Sequence, residues 1–302
     1  MSVFDNILSV FKDPPPEFVF EIAADGIAMS RTKPPMALQQ TPLAAGVLSA
    51  SPVKENVLDP GAFAEAVCRL VPAGKKGRRA AIILPDHAVR ISVLDFDALP
   101  EKEEERRSLL NFRLRKSVPF DVDEAALSYF PQDGKKVLVA LAPMEIVAHY
   151  EAAFRAAGLQ PGLVTVSSLA LLDLLPADAS AVVARRAPGV LTVVALSGGI
   201  VTIARSLELS EPSGDAADPL EEISADIYST LAFIEDQSGV LPERLYLAGF
   251  GDEAASAATR LSVELNLPAF AIEEEWPGLA GYLKSLSPPA AVADKTEKKA
   301  AA

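Results

Sequence analysis

Ala80-Ala81-Ile82-Ile83-Leu84-Pro85-Asp86 opens the stretch of sequence on which the fold turns. An unbroken apolar run of this length, closed by proline, reads as a buried strand. Just beyond it Val89, Ile91 and Val93 alternate with Arg90 and Ser92, the period of a strand with one wet face. Leu99-Pro100 breaks that strand. Glu101, Glu103, Glu104 and Glu105 then precede Arg106, Arg107, Arg113, Arg115 and Lys116. Acids at the start and bases at the end complement a helix dipole, which predicts a helix over 101–117. Its few apolar residues, Leu109, Leu110, Phe112 and Leu114, suit a helix that covers one face of a sheet. Val118-Pro119-Phe120 stops it, because the residue before a proline avoids the helical region. Ala126, Leu127 and Tyr129 begin another strand.

Outside this stretch, composition sets the bounds. The chain has 302 residues, half of them hydrophobic, enough for two domains or one large α/β unit with an insertion. A net charge of −13 argues against nucleic acid or an anionic membrane as the main partner. Lys75, Lys76, Arg78 and Arg79 form a short basic cluster beside Gly74 and Gly77, and read as a solvated loop. The single cysteine, Cys68, excludes a disulfide framework within the chain and multi-cysteine zinc motifs. Its neighbours Phe63, Val67 and Leu70 lead us to expect a buried, structural thiol. No apolar run approaches the roughly 18 residues of a membrane span, and the N-terminus lacks a signal-peptide pattern, so the expectation is a cytoplasmic chain that does not span a membrane.

Taken in order, residues 3–11 place Phe4, Ile7, Leu8 and Phe11 at helical spacing ahead of Pro14-Pro15-Pro16, a stiff spacer. With Lys12 as its one cation, this helix is expected to dock on the chain itself or on a partner rather than on a membrane. Phe18 to Ile22 reads as the first strand of the globular part, and Gly46 to Leu48 as a weak one. Asp59-Pro60 caps a helix carrying Phe63, Val67 and Leu70 on one face. Strands and helices alternate from Val137 to Leu175, the sign of βαβ-type units. Val190 to Leu196 and Ile200 to Ala204, joined by Ser197-Gly198-Gly199, read as a hairpin. Ile223, Ile227, Leu231 and Ile234 mark a helix ended by Gly239. Leu245 to Ala248 is a strand running into Gly249-Phe250-Gly251, with a further helix from about Glu253 to Leu265. No internal repeat shows at the scale of 20–50 residues.

The order strand, strand, Leu-Pro, acidic helix start, basic helix end, Val-Pro-Phe resembles PilM, the actin-like cytoplasmic protein of type IV pilus assembly. Residues 137–172, residues 220–239 ending Phe233-Ile234-Glu235-Asp236-Gln237-Ser238-Gly239, and Leu245 to Gly251 also resemble that family, which brings the likeness to about three quarters of the chain. The resemblance implies an α/β, actin-like (RNase H-like) two-lobe ATPase fold with an FtsA-type insertion subdomain in the first lobe. The implied divisions are an N-terminal segment 1–16, a first lobe 17–184 holding the insertion 80–136, a shortened second lobe 185–287, and a disordered tail 288–302. It implies a scaffold peripheral to the inner membrane through its partners, binding the cytoplasmic N-terminal peptide of a PilN-like bitopic membrane protein. The pilus motor ATPase and further copies of the chain are additional candidate partners. The peptide groove implied by the family would have the helix 101–117 in its wall, with Phe112, Arg115, Pro119 and Phe120 as contacts.

Actin-like ATPases hold nucleotide on two Asp-x-Gly hairpins, whose glycines admit phosphate and whose carboxylates orient Mg²⁺. The first hairpin here reads Glu21-Ile22-Ala23-Ala24-Asp25-Gly26, with alanine where the close-approach glycine belongs. The second reads Val183-Ala184-Arg185-Arg186-Ala187-Pro188-Gly189 and has no carboxylate. Pro188 also removes an amide donor. The vestigial nucleotide residues are therefore Glu21, Asp25, Gly26, Arg185, Arg186, Gly249 and Gly251. Arg185 and Arg186 could meet a phosphate but would repel its metal. The expectation is binding without hydrolysis or catalytic residues and without a cofactor, ATP and Mg²⁺ being the ones the resemblance would allow. The connection over about Glu208–Asp218 also looks shortened relative to the family. Two alternatives stand beside this reading. One is a working ATPase with an acid such as Asp173 or Asp178 on the metal; the other is a cytoplasmic component like GspL of type II secretion. His87, His149 and the Glu273-Glu274-Glu275 run are read as structural or solvated, and no metal site is expected.

Overall fold

The computed structural model describes residues 15–132, 135–210 and 218–287. The predicted 3–11 helix, the 288–302 tail and most of the shortened connection lie outside them. Strands β1 (Phe18–Ile22), β2 (Gly26–Arg31) and β3 (Gln39–Pro42) lead to helix α1 (Pro60–Leu70) and strand β4 (Arg78–Leu84). Then come β5 (Arg90–Asp95), α2 (Glu103–Leu114), β6 (Ala125–Pro131) and β7 (Lys136–Pro143). Helix α3 (Met144–Ala156), strand β8 (Leu159–Val166) and the short α4 (Ser167–Ala170) follow. The remainder is β9 (Ala181–Ala187), β10 (Val190–Ser197), β11 (Ile200–Glu208), α5 (Pro219–Ser238), β12 (Arg244–Ala248), α6 (Ala254–Glu264), β13 (Ala269–Ala271) and α7 (Pro277–Ser285).

Two five-stranded sheets share one plan. The first runs β3-β2-β1-β4-β8 and the second β11-β10-β9-β12-β13. In each, the first three strands form an antiparallel meander, and the next two add parallel to the first strand. The chain is thus a structural duplication at lobe scale, longer than the 20–50-residue window in which the sequence shows none. The duplication also fixes where the insertion lies. In the second lobe β12 passes to α6 through a short turn, whereas between β4 and α3 the chain makes the separate sheet β5-β7-β6. The insertion is therefore 85–143, not 80–136: β4 pairs with β1 and β8 in the main sheet, and β7 belongs wholly to the small one. A buried apolar run reads the same in either sheet, hence the misplacement. Likewise the second lobe opens at Ala181, where β9 pairs with β12, and not at 185.

Local signals built most elements. The Asp59 side chain accepts from the Ala62 N–H at 2.9 Å, with Pro60 in the first turn, and Asp218 does the same for Leu220 ahead of Pro219. Gly239 closes α5 in the left-handed conformation at φ 68°. Helix α2 buries Leu110 and Leu114, the i,i+4 pair, and leaves Phe112 71% exposed. The weak strand at 46–48 reduces to a single bridge between Leu48 and Val57. Cys68 is exposed, against expectation: α1 buries Phe63, Ala66, Val67 and Leu70, and Cys68 lies a turn of about 100° off that face.

Three cores result. Val137, Val139 and Leu141 of β7 pack under α2, while Leu138 and Ala142 on the opposite face join the main core. Val182 and Ala184 of β9 face α5 and α6, in a core built with Leu191, Val193, Ile223 and Leu261. Val183, from the other face of β9, shares the first lobe's core with Val194, Leu196, Val201 and Ala248. The lobes are consequently joined through a continuous apolar contact, and the insertion lies against both.

Candidate functional site

Where the lobes meet, two apolar strands each place one charge in the interior. Strand β1 is buried along its whole length, with Phe18, Phe20 and Ile22 on one face and Val19 and Glu21 on the other. Strand β9 turns Val183 and Arg185 toward it. A charge in such a place must be paired. The Arg185 Nη2 lies 3.6 Å from Glu21 Oε1, and its Nη1 donates to Asp86 Oδ2 at 3.3 Å. Side-chain exposure is 9% for Arg185, 0% for Glu21 and 2% for Asp86. One guanidinium from the second lobe therefore stands between two carboxylates of the first.

Each carboxylate has further partners. Ser167 Oγ donates to Glu21 Oε1, and the Leu279 N–H in the first turn of α7 donates to Glu21 Oε2 at 2.7 Å. Asp86 Oδ1 accepts from the Ser168 N–H at 2.7 Å. Helix α7 reaches this depth through Gly278 and Gly281. A methyl at Gly278 would stand 2.7 Å from Ser167 Oγ and 2.9 Å from Glu21 Oε1, and one at Gly281 would overlap the Ala170 carbonyl. Burial, the largest influence on Glu21, raises its pKa above the ordinary 4.5; the Arg185 charge, the Ser167 hydroxyl and the Leu279 amide pull the other way. The Nε of Arg185 and the Oγ of Ser168 are buried without a hydrogen-bond partner among the described residues.

The remaining predicted nucleotide residues are tied elsewhere. Asp25 is exposed at the β1–β2 turn. Gly26 has Thr41 O and the Trp276 ring where a side chain would begin, at 3.2 and 3.5 Å. Arg186 pairs with Glu253 at 3.0 Å and lies over the Phe250 ring at 5.8 Å. Gly249, at φ 77°, is held against the Arg186 carbonyl, which leaves no space for a Cβ. Gly251 continues that turn into α6. Of the alternative acids, Asp178 is exposed and Asp173 is buried, while Asp86 is the acid that pairs with Arg185. The sequence reading missed Asp86, Ser167, Ser168 and the Leu279 amide. One signal was available: Glu21 and Arg185 are opposite charges in the middle of two apolar strands, a pattern that demands buried partners.

The predicted partner residues divide. Phe112 is exposed on the outer face of α2, Arg115 is exposed and paired with Asp123 at 2.6 Å, and Pro119 is exposed. Phe120 is half-buried and packs into the insertion's own core. The insertion is fastened to the second lobe by the Gln132 amide, which accepts from the Val201 N–H at 2.8 Å and donates to its carbonyl at 2.9 Å. Among the described residues, no group of three metal-ligating side chains converges and no helix is long and apolar enough to cross a membrane.

No protein-family model and no curated protein matches the chain. Solved structures do. A chain of a PilM–PilN type IV pilus biogenesis complex aligns with a TM-score of 0.74 at 21% identity, over 92% of this chain and 100% of that one. The cytoplasmic domain of EpsL, an inner membrane component of the type II secretion system of Vibrio cholerae, gives 0.56 at 8% identity, over 90% and 95%. A Bacteroides thetaiotaomicron protein with an actin-like ATPase fold and unknown function gives 0.54 at 12% identity, over 88% and 94%. At these identities the likeness is one of architecture, and it matches the resemblance to PilM drawn from the sequence: the chain has the actin-like fold.

Proposed function

We propose that the chain is a scaffold of a type IV pilus assembly platform that binds the cytoplasmic peptide of a PilN-like membrane protein without hydrolysing ATP. On this reading it lies in the cytoplasm, held at the inner membrane through that partner. The observation that carries it is the position of Arg185. A divalent ion held by both Glu21 and Asp86 would have to sit where the guanidinium sits, and phosphate would face two carboxylates. The residues present do not fit a Mg²⁺-nucleotide, which leaves the fold to serve as a frame for binding. The fold's likeness to a chain solved in a PilM–PilN complex supports the choice of partner. The exposed Phe112, on a helix that the family resemblance sets in the groove wall, supplies an apolar contact.

Calorimetry tests the reading. Titration with the N-terminal peptide of a PilN-like protein should give a Kd of about 10 µM or tighter, roughly −7 kcal/mol, with no nucleotide present. ATP with Mg²⁺ should give no heat up to about 1 mM. Phe112→Asp should weaken the peptide at least tenfold with melting unchanged, since the ring is solvent-exposed; Phe120 is unsuitable because it is part of the insertion's core. An ATP Kd below about 100 µM, roughly −5.5 kcal/mol, or full peptide affinity in Phe112→Asp would overturn the proposal.

A further inference from the structure

Two helices on the outside of the second lobe leave an open groove between them. Asp218, the cap of α5, pairs with Arg260 of α6, and Ser224, further along α5, meets Glu264, further along α6. The helices therefore run side by side in one direction. Their inner faces, Ile223, Ile227 and Leu231 of α5 and Ala257 and Leu261 of α6, are spent on the second lobe's core. The groove encloses about 400 Å³, with Glu221, Ser224 and Tyr228 on one bank and Arg260, Glu264 and Leu265 on the other. Tyr228 is 65% exposed, and Val263, three residues after Arg260 and so beside it on α6, is 80% exposed.

The charge of this face has one sign. Helix α5 has Glu221, Glu222, Asp226, Glu235 and Asp236 and no base. Helix α6 has one base, Arg260, already held by Asp218 and by Glu264 at 2.6 Å. It ends at Glu264 with no cation in its last turn, so the negative end of its dipole adds to the acids around the groove. The face of a tyrosine ring attracts an ammonium or guanidinium group, and the stem of such a side chain lies along apolar surface. A groove between two helices takes a third helix along its length. We propose that this face docks a basic amphipathic helix of another protein, with its apolar side on Tyr228, Val263 and Leu265 and its cations on Glu221 and the neighbouring acids. A metal ion or a polyamine would meet the acids but leave the ring and the valine in water. An anionic lipid or a nucleic acid would be repelled. A second copy is opposed by the net charge of −13.

Fluorescence anisotropy of a labelled peptide tests this on the full chain. The probe is two repeats of Leu-Lys-Lys-Leu-Leu-Lys-Leu, a basic amphipathic helix, and it should bind with a Kd of about 10 µM or tighter. The same peptide with Glu for every Lys, or with Ser for every Leu, should bind about tenfold more weakly or worse. Tyr228→Ala with Val263→Ala should weaken the probe by about tenfold or more with unchanged melting, since both side chains are exposed. Glu273→Gln with Glu274→Gln, exposed acids elsewhere, should leave the affinity unchanged. So should Phe112→Asp, which keeps this result separate from capture of a peptide at α2. Absence of binding, full affinity in the Tyr228 and Val263 double variant, an equal loss in the Glu273 and Glu274 variant, or undiminished binding of the serine peptide would each overturn the proposal. So would a dimer at about 10 µM chain that Tyr228→Ala dissolves, because the face would then belong to a second copy.

Discussion

Replacing Arg185 with leucine removes a cation and keeps most of the volume. Glu21 and Asp86 would then share a buried site with no opposing charge, each retaining its own partners: Ser167 and Leu279 for Glu21, Ser168 for Asp86. Breaking a buried pair by deleting one member costs about 3–5 kcal/mol. Two carboxylates lose their counter-ion here, but Glu21, already pushed toward protonation by burial, can take up a proton, so the two losses do not add. At about 2–4 °C per kcal/mol for a chain of this class, melting should fall by about 10 °C. Thermal and urea melts at pH 7, followed by circular dichroism, read the loss. The decisive comparison is the triple variant Arg185→Leu, Glu21→Gln, Asp86→Asn. With neutral amides in place of the acids it should recover most of the stability, because the cost lies in uncompensated charge and not in missing contacts. A single variant that loses less than about 1 kcal/mol, or a triple variant no better than the single, would refute the account of the site.

Two further outcomes follow from the same residues. Gly281→Ala forces a methyl onto the Ala170 carbonyl and should cost about 2 kcal/mol or more in urea melts, by lifting α7 from α4. Since the pKa of Glu21 is raised, the folded chain binds more protons than the unfolded one between pH 4.5 and the raised value. This group's contribution is thus full at the acid end and is lost as pH rises through that window. The difference in urea midpoint between Glu21→Gln and the wild type should therefore shift in the variant's favour as pH rises; a flat difference would show that Glu21 is not perturbed.

Much of the architecture was legible in the sequence. Each strand of the insertion and the helix between them announced itself through period, charge order and proline, and Asp59-Pro60 marked α1 to the residue. Parts that depend on which strand pairs with which were not legible. The run Ala80 to Leu84 is apolar because both faces of β4 are covered, and nothing in it says by which sheet. The site failed for the same reason. Asp86 and Arg185 are 99 positions apart, and only the crossing of the lobes brings them together. Their residue types hinted at buried pairing, but the partner of each could not be read from local sequence. Cys68 shows a smaller version of the problem, since one step along a helix separates the buried face from solvent.

The grip of Gln132 on Val201 has a consequence for dissecting the molecule. Strand β11 is the outer member of the second sheet, nine residues long, and its free side lies along β5 of the insertion. A lobe cut out at Ala181 would leave that side bare, with unmet backbone groups able to pair with the next molecule. The second lobe excised alone should therefore stick to itself, and a soluble fragment will need the insertion left in place as the cover of a seam.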